Sequence, residues 1–538
     1  MKLTGAQAII KALEKEEVTT IFGYPGAAIC PFYDALLDSN ITHVLTRNEQ
    51  GAAHAASGYA RVSGKTGVCV ATSGPGATNL ITGIATAYLD SVPMVAITGQ
   101  VSSELIGRDV FQEVDITGAT SPFCKHNYLV KDVKDLPRII KEAFHIASTG
   151  RPGPVLIDIP VDIQREEFNF CYPQNIDIKG YKPNYRGHPQ QIKKIATAIA
   201  NAKAPVICAG GGIIISGATD ILTKLVDKCN IPVVTTLMGI GAISGEHQLN
   251  LGMLGSHGVY SANRAINEAD LLIIIGARVG DRAMSTAERL SERTTIVHID
   301  IDPAEIGKNI NATIPVVGDS KLVLEQVYEM VTLGDTTKWV EQAEQWKNKK
   351  AEEDNGRTVN PRLFIKELSH RLRPNDIVTT EVGQNQIWAA NNFIARLPGT
   401  FITSGGLGTM GYGLPAGLGA KLGNPQNTVV VVAGDGSFQM SMPELGTIKQ
   451  CGVGVKIVIF NNSRLGMVRE LQKNRHSSRY SQVFMEHNPD FVALAQAYGF
   501  KGEKVTNNTE VKECLDRFFE NDETYVLECI VDPEEYTV

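Results

Sequence analysis

The sequence predicts an α/β protein with three doubly wound parallel-sheet domains, and three observations support this prediction. The chain has 538 residues, more than one hydrophobic core usually organises, since domains commonly hold ~100–200 residues. Short, almost entirely apolar runs recur, and strands of this kind belong to parallel sheets covered by helices on both faces. Helical patterns of roughly 10–15 residues separate these runs, as in repeated β-α units. The apolar runs cover residues 68–71, 94–97, 155–157, 206–208, 271–275, 429–432 and 457–460.

Two changes in composition divide the chain. Residues 168–189 are rich in Asn, Pro, Tyr and Lys and lack periodicity, as an extended linker would. Residues 336–361 carry a charged helical pattern that ends in an Asn-Gly pair. We therefore expect an N-terminal domain over 1–168, a central domain over 190–335 and a C-terminal domain over 357–538.

The composition excludes several classes of protein. A net charge of −7 argues against a nucleic-acid partner, because phosphate binding depends on clustered Lys and Arg. The nine cysteines form no C-x-x-C pair, which is typical of reduced thiols in a cytosolic protein. The sequence shows neither a signal-peptide pattern nor a run of 18 apolar residues. We therefore expect a cytoplasmic protein with no membrane partner.

The clearest chemical motif lies in the C-terminal domain. The apolar run 429–432 leads into a glycine turn that contains Asp435, and after a predicted helix over 438–450 the next apolar run ends at Asn462. If the two strands are parallel, both side chains lie at the carboxyl edge of the sheet, where ligands of open α/β folds bind. A carboxylate and an amide oxygen suit Mg²⁺ bridged to a diphosphate. Gly-Asp-Gly alone indicates only a tight turn, so the prediction depends on the strand-helix-strand spacing.

A second motif opens the helix that follows Thr46. Glu49 stands at the beginning of a segment rich in Ala, Gly and Ser, where the helix dipole stabilises a carboxylate. Small residues allow that helix to pack closely against a neighbour. Taken alone, Glu49 is better interpreted as an exposed first-turn residue.

The segment from Gly434 to Asn462 resembles the thiamine diphosphate motif of the pyruvate-oxidase-like enzymes. Over essentially the whole chain, the closest resemblance is to the catalytic subunits of acetohydroxyacid synthases. It implies thiamine diphosphate and Mg²⁺, the metal being held by Asp435, Asn462 and the backbone carbonyl of Arg464. It also implies that Glu49 binds N1′ of the aminopyrimidine and relays a proton through the cofactor. The N-terminal domain would then bind the pyrimidine, and the C-terminal domain the diphosphate.

The same resemblance assigns further contacts. Phe111 and Gln112 would lie over the thiazolium, and Met410 would be the apolar side chain that holds the cofactor bent, a geometry that favours reaction. Without the resemblance, the alternative for Met410 is a core filler, although the density of glycines around it argues against this. The remaining residues expected to contact thiamine diphosphate are Gly383, Gln384, Gly408, Gly434, Gly436 and Ser437.

The central domain resembles the flavin-binding part of FAD-containing acetohydroxyacid synthases. Glycine turns allow backbone amides to meet a pyrophosphate, an arginine neutralises it, and an acidic strand end binds ribose hydroxyls. Such an FAD would have no redox step in acetolactate formation, whereas a redox-active flavin would indicate an oxidase. The residues expected to contact FAD are Arg151, Gly211, His257, Arg278 and Asp300.

The reaction implied by the resemblance joins two pyruvates, or pyruvate and 2-oxobutyrate, with loss of CO₂, in branched-chain amino acid synthesis. It implies a homodimer or homotetramer and leaves open a small regulatory subunit. Asn48, Val161 and Leu471 depart from residues common in the family, His, Lys and Trp respectively, and the last two put acceptor preference in doubt. Another thiamine diphosphate-dependent decarboxylase, carboligase or oxidase is the main alternative, and an inactive nucleotide-binding regulator is the other.

Overall fold

Three six-stranded sheets, in each of which all neighbouring strands are parallel, organise the chain. The structure is a computed structural model that describes residues 1–284, 290–332, 334–347 and 356–538. The predicted α/β class with three parallel-sheet domains is confirmed, and every apolar run named above lies in a strand. Residues 348–355, part of the charged segment expected to form the second linker, lie outside the described residues. The domain boundaries stay predictions.

The N-terminal sheet has the strand order β3-β2-β4-β5-β7-β6, and β1 and β8 form a separate antiparallel pair. Its elements are β1 (Lys2–Thr4), α1 (Gly5–Lys15), β2 (Thr20–Gly23), α2 (Cys30–Leu36), β3 (Thr42–Leu45), α3 (Glu49–Ser63), β4 (Gly67–Ala71), α4 (Pro75–Leu89), β5 (Met94–Gln100), α5 (Ile116–Thr120), β6 (His126–Leu129), α6 (Leu136–Ser148), β7 (Pro154–Pro160), α7 (Val161–Arg165) and β8 (Glu167–Asn169).

The central sheet has the order β11-β10-β9-β12-β13-β14. Counted from its first strand this order is 3-2-1-4-5-6, that of dinucleotide-binding folds. Its elements are α8 (Pro189–Asn201), β9 (Pro205–Ala209), α9 (Gly211–Ile215), α10 (Thr219–Cys229), β10 (Val233–Thr235), β11 (Asn250–Met253), α11 (Tyr260–Glu268), β12 (Leu271–Ile275), β13 (Thr295–Asp300), β14 (Ile314–Val317), α12 (Ser320–Met330) and α13 (Thr337–Lys347).

The C-terminal sheet has the order β16-β15-β17-β18-β20-β19. No helix among the described residues of the chain is long and apolar enough to cross a membrane. The elements of this domain are α14 (Pro361–Arg371), β15 (Ile377–Thr380), α15 (Gln384–Asn392), β16 (Phe401–Ile402), α16 (Gly413–Gly423), β17 (Val429–Gly434), α17 (Asp435–Gln439), α18 (Leu445–Cys451), β18 (Lys456–Asn461), α19 (Gly466–Arg475), α20 (Phe491–Ala497), β19 (Lys501–Val505), α21 (Val511–Phe518) and β20 (Tyr525–Ile530).

The N- and C-terminal sheets have the same connectivity. Numbered along the chain within each domain, their strands lie in the order 2-1-3-4-6-5. In both, the strand order reverses between the first and third strands, the place where open α/β sheets bind ligands. The helices α3 and α16 follow corresponding strands, β3 and β16, and pack against each other in one continuous core.

Glycines allow α3 and α16 to approach closely. A Cβ atom on Gly58 would lie 2.0 Å from the carbonyl oxygen of Ala416. A Cβ atom on Gly419 would lie 1.9 Å from the carbonyl oxygen of Ala55. The small residues that the sequence shows in this helix therefore fix the N-terminal domain against the C-terminal domain.

One predicted helix is interrupted. Instead of one helix over 438–450, α17 ends at Gln439 and α18 begins at Leu445, with a short 3-10 turn over Met442–Glu444 between them. Pro443 lies in this turn. Proline lacks the amide hydrogen and clashes with the preceding turn of an α-helix, so a continuous helix would be strained at this point.

We predict that Gly419→Ala lowers the free energy of unfolding by about 1–3 kcal/mol, because the added methyl group overlaps backbone that cannot move easily. This is the net loss that remains after the ~1 kcal/mol that alanine gains over glycine in a helix. Thermal denaturation of the variant beside the wild type measures the effect. Gly280→Ala is the control, since a Cβ atom there meets nothing within 4 Å. An unchanged midpoint for Gly419→Ala would contradict the role of close packing.

Candidate active site

Asp435 and Asn462 lie side by side at the carboxyl edge of the C-terminal sheet. They directly follow β17 and β18, which are neighbouring parallel strands. Burial raises the pKa of the Asp435 carboxyl group to about 6, and hydrogen bonds from Asn488 and from backbone amides, including that of Asn462, oppose the shift. The structure thus brings together the two side chains for which the sequence predicts a metal site, and the metal-binding role stays a prediction.

Asn488 is a site residue that sequence reasoning missed. Its Nδ2 atom donates to Oδ2 of Asp435 at 2.7 Å and to Oδ1 of Asn461 at 3.3 Å. Its own Oδ1 accepts from Gln439 at 2.9 Å. It holds the Asp435 carboxylate from a loop 53 residues further along the chain. No motif surrounds it, so the sequence alone offers nothing that would identify it.

Gln384, the first residue of α15, links Asn462 to Glu470. Its Oε1 atom accepts from Nδ2 of Asn462 at 2.9 Å, and its Nε2 donates to Glu470 at 2.7 Å. Gly383 immediately precedes Gln384 at the start of α15. The guanidinium of Arg464 stacks on a phenylalanine ring, while its backbone amide donates to Oδ1 of Asn462 at 3.1 Å. Arg464 therefore contacts Asn462 through its backbone and not through its side chain.

Gly436, in the first turn of α17, lies close to side chains of two other segments. A Cβ atom on Gly436 would lie 2.9 Å from Leu465 and 3.9 Å from the terminal methyl group of Met410. The Ser437 hydroxyl hydrogen-bonds within the turn, to the backbone of Gly434 at 3.2 Å. Met410 thus lies beside the turn that carries Asp435, and its role of supporting the bent cofactor stays a prediction.

Met410 lies in the loop between β16 and α16. Gly408 and Gly411 flank it with φ of +73° and +89°, a conformation that L side chains rarely adopt. Buried Glu381, at the end of β15, accepts hydrogen bonds from the backbone amides of Gly411 and Gly413. Glu381 lies two residues before Gly383, and the sequence alone assigns it no role.

Glu49 is the first residue of α3 and is 9% exposed, which contradicts the alternative of an exposed first-turn residue. Asn48 caps the helix by accepting from the backbone amide of Gln50 at 2.8 Å. Oε2 of Glu49 accepts from Asn79 at 3.0 Å. A Cβ atom on Gly76 would lie 3.2 Å from Oε1. The glycine therefore opens space beside the carboxylate.

Phe111 and Gln112 lie in an irregular loop of the N-terminal domain. Gln112 has φ of +59° and packs against Gly74, where a Cβ atom would lie 2.9 Å from Gln112 Cα. Gln100 fixes the far side of the loop by donating to the carbonyl oxygen of Val114 at 2.8 Å. Gln112 and Glu49 thus flank the two ends of the same glycine-containing turn, whereas Phe111 is 86% exposed.

Glu444 ties the beginning of α3 to the C-terminal domain of the same chain. Its carboxylate accepts from the backbone amides of Arg47 at 3.0 Å and Asn48 at 3.2 Å. A Cβ atom on Gly51 would lie 2.3 Å from the same carboxylate. Glu49 itself hydrogen-bonds within the N-terminal domain.

Three of the residues that the sequence assigns to a flavin lie at the ends of three neighbouring strands of the central sheet. Gly211 and Arg278 follow β9 and β12, and Asp300 ends β13. Burial raises the pKa of Asp300 to about 6, and burial together with Arg151 lowers the pKa of Arg278. These three residues lie at one carboxyl edge, as expected for a dinucleotide site.

Arg151 and His257 complete the predicted flavin set. Arg151 forms ion pairs with Glu305 at 2.8 Å and Asp302 at 3.2 Å, so its charge is already balanced by protein carboxylates. The backbone carbonyl of His257 accepts from Asn391 at 2.9 Å, which links the central and C-terminal domains. Through its ion pairs with Asp302 and Glu305, Arg151 joins the N-terminal domain to the segment of the central domain that follows Asp300.

Of the three residues singled out above as departures from the family pattern, Asn48 caps α3, and the other two lie on helices. Val161 begins α7. Leu471 lies on α19 and is 39% exposed, next to Glu470, which holds Gln384. A larger side chain would therefore have space at position 471.

Comparison with known proteins agrees with this architecture. Three family models match: thiamine pyrophosphate enzyme, N-terminal TPP binding domain, at residues 3–119; the central domain of the same enzymes at residues 192–327; and their C-terminal TPP binding domain at residues 381–529. All three sheets described above fall largely within these segments. The chain is thus a thiamine diphosphate-dependent enzyme.

Relatives with similar sequences extend over nearly the whole chain. The probable acetolactate synthase large subunit of Methanocaldococcus jannaschii is 48% identical, over 99% of this chain and 93% of that protein. The acetolactate synthase large subunit of Buchnera aphidicola subsp. Schizaphis graminum is 46% identical, over 95% and 91%. The acetolactate synthase large subunit of Corynebacterium glutamicum is 45% identical, over 98% and 87%. The chain therefore belongs to the acetolactate synthase large-subunit family of thiamine pyrophosphate enzymes.

Proposed function

We propose that this protein is the catalytic subunit of an acetolactate synthase. It decarboxylates pyruvate and joins the two-carbon fragment to a second 2-oxo acid, pyruvate or 2-oxobutyrate, in branched-chain amino acid synthesis. The observation that carries the proposal is the Asp435 and Asn462 cluster beside Met410, in a chain whose relatives bear that name over nearly their full length.

The C-terminal domain would hold the metal and the diphosphate. Asp435, Asn462 and the backbone carbonyl of Arg464 offer the oxygen ligands that Mg²⁺ prefers. Gly434 and Gly436 let phosphate oxygens approach the backbone. The donor set fits, because a buried carboxylate at this edge is stabilised by a nearby cation. Thiamine diphosphate, when bound, supplies the electron sink that the loss of CO₂ requires.

The N-terminal domain would supply the acid-base group. Glu49 is buried, and Asn79 orients one of its oxygens while Gly76 leaves the other accessible. This carboxylate would hold a proton against the pyrimidine nitrogen of the cofactor. Gln112 and Phe111 would close over the reacting ring and exclude water from it.

The central domain would bind FAD in a structural role. Gly211 allows close approach of the backbone, Arg278 would neutralise phosphate charge, and Asp300 would bind ribose hydroxyls. Arg151 would contribute position rather than charge, since carboxylates already balance it. The central strand order supports this proposal.

A second copy of the chain would complete the active site. Phe111 is 86% exposed and Met440, beside Gly411, is 60% exposed, so both large apolar side chains are available to contact a second chain. In a homodimer or homotetramer these residues would be covered, and Glu49 would act on the cofactor that the partner holds. A small regulatory subunit would be a separate chain. All nine cysteines are unpaired, which fits a cytoplasmic location.

Incubating the purified chain with pyruvate, thiamine diphosphate and Mg²⁺ tests the function. We expect 2-acetolactate and CO₂, and with added 2-oxobutyrate also 2-aceto-2-hydroxybutyrate, both measurable by mass spectrometry. Acetaldehyde as the sole product would indicate a simple decarboxylase, and hydrogen peroxide would indicate an oxidase. Either result contradicts the proposal.

Mixing two inactive variants tests the shared site. Glu49→Gln and Asp435→Ala chains each lack one half of the catalytic machinery, so each should be inactive alone. If sites form between chains, random exchange gives heterodimers with one intact site, and the mixture should recover about a quarter of wild-type activity. Mass spectrometry of differently tagged chains verifies exchange. No recovery after verified exchange would place each site within a single chain.

The contact from Asn488 predicts a change in metal affinity. Asn488→Ala removes the hydrogen bond that orients Asp435, so the Mg²⁺ concentration for half-maximal activity should rise about 10-fold or more. Titration of metal-free enzyme with Mg²⁺ measures this value. Asn521→Ala, an exposed asparagine of the same domain, is the control and should leave it unchanged. Equal values for the two variants would contradict the role of Asn488.

A further inference from the structure

Glu381 is a buried carboxylate that accepts hydrogen bonds from the loop that carries Met410. It directly follows β15 and has no solvent exposure. Its Oε2 atom accepts from the backbone amide of Gly411 at 2.7 Å. Its Oε1 atom accepts from Gly413 at 2.8 Å and Leu414 at 3.2 Å. Three backbone amides next to Met410 thus converge on one side chain.

Side chains hold this loop on both sides of Met410. Before Met410, Asp90 and Ser404 accept from the backbone amides of Gly406 and Thr409, and after it Glu381 accepts from the amides of Gly411 and Gly413. Residues 403–412 include four glycines, and glycine loses more backbone entropy on ordering than any other residue. The loop leads into α16, whose capping residue, Tyr412, makes no side-chain capping bond. The carboxylate of Glu381 takes that place, where the helix dipole favours a negative charge.

The backbone of Glu381 connects to the opposite side of the cofactor site. Its amide donates to the carbonyl oxygen of Val432 in β17 at 2.9 Å. Its carbonyl oxygen accepts from Asn385 at 3.0 Å, and Asn385 also donates to the carbonyl oxygen of Val432 at 3.0 Å. One residue therefore links the strand that ends in the Asp435 turn to the loop that carries Met410.

We propose that Glu381 is a positioning residue that fixes Met410 relative to the Asp435 turn and so prepares the chain to hold its cofactor bent. This inference rests on the proposed thiamine diphosphate site. It depends on both oxygens being acceptors. In Glu381→Gln, the amide oxygen can still accept from the backbone amides of Gly413 and Leu414. The NH₂ group then faces the backbone N–H of Gly411, the residue after Met410. Two donors then face each other, and that side of the loop loses its bond.

The first measurement is binding of thiamine diphosphate, with Mg²⁺, by isothermal titration calorimetry at pH 8, where the Glu381 carboxyl group, whose pKa burial raises to about 7, is mostly ionised. We expect Glu381→Gln to raise the dissociation constant about 10–100-fold, since hydrogen bonds to a charged group are strong and a buried unpaired donor is costly. Glu381→Asp keeps two charged acceptors and should recover part of the loss. Asp376→Asn is the matched control: Asp376 is a buried carboxylate just before the same strand and accepts from the amides of Arg373 and Thr428, both at 2.8 Å.

A double-mutant cycle separates positioning from general destabilisation. If Glu381 acts through Met410, Glu381→Gln should change the dissociation constant less than about threefold in a Met410→Ala background. A general loss of stability would instead be additive. Hydrogen exchange of the cofactor-free protein adds an independent measurement, in which peptides covering 403–414 should exchange faster in Glu381→Gln and not in Asp376→Asn.

The outcomes are distinguishable. Wild-type protein that binds no thiamine diphosphate overturns the proposed function and this inference together. Wild-type protein that binds it, with Glu381→Gln binding equally well, overturns the inference alone. Additive losses in the double mutant, or equal losses in Glu381→Gln and Asp376→Asn, also overturn it.

Discussion

The candidate site depends on the register of two parallel strands. β17 and β18 pair in register, with Gly434 opposite Phe460, so they end together at one edge of the sheet. The residue after each strand is Asp435 or Asn462, and this alone brings a carboxylate and an amide together across a separation of 27 residues in sequence. A shift of one residue would turn the side chains of one strand to the opposite face of the sheet.

The repeated topology of the N- and C-terminal domains gives the molecule two equivalent carboxyl edges with different chemistry. In the C-terminal domain the edge carries the glycine turn and Asp435. In the N-terminal domain it carries Glu49 at the beginning of α3. Because α3 and α16 follow corresponding strands and pack through Gly58 and Gly419, the two edges have a fixed relation within the chain. One topology used twice thus places the carboxylates of Glu49 and Asp435 at equivalent edges of two sheets.

Much of this fold follows from short-range patterns, and the parts that do not have identifiable physical causes. Strands buried on both faces, such as β12 and β17, are visible because burial demands an unbroken apolar run. The burial of Glu49 depends on Asn79 and Gly76, which lie in another element, and no local pattern reveals such a contact. The interruption at Pro443 could be anticipated from proline chemistry. The contact of Asn488 with Asp435 could not be anticipated, because no local pattern in the sequence marks it.

Buried acids at the carboxyl ends of strands connect the architecture to function. Burial raises the pKa of Asp158 to about 7 and that of Glu381 to about 7. A carboxyl group whose pKa is raised binds its proton more tightly in the folded than in the unfolded chain. Its contribution to stability therefore falls as the pH rises from about 4 to about 7. At neutral pH these groups destabilise the fold, so stability does not explain their presence.

The hydrogen bonds that Asp158 and Glu381 accept explain better why these buried carboxylates are present. Asp158 accepts from Gln100 at 2.9 Å, and Gln100 in turn holds the carbonyl oxygen of Val114, two residues beyond Gln112. Glu381 holds Gly411, the residue after Met410. In both the N-terminal and the C-terminal domain, a buried carboxylate thus fixes an irregular loop that carries a candidate catalytic residue. An apolar residue at either position would remove the desolvation cost but could not accept these bonds, and the loop would lose its defined position.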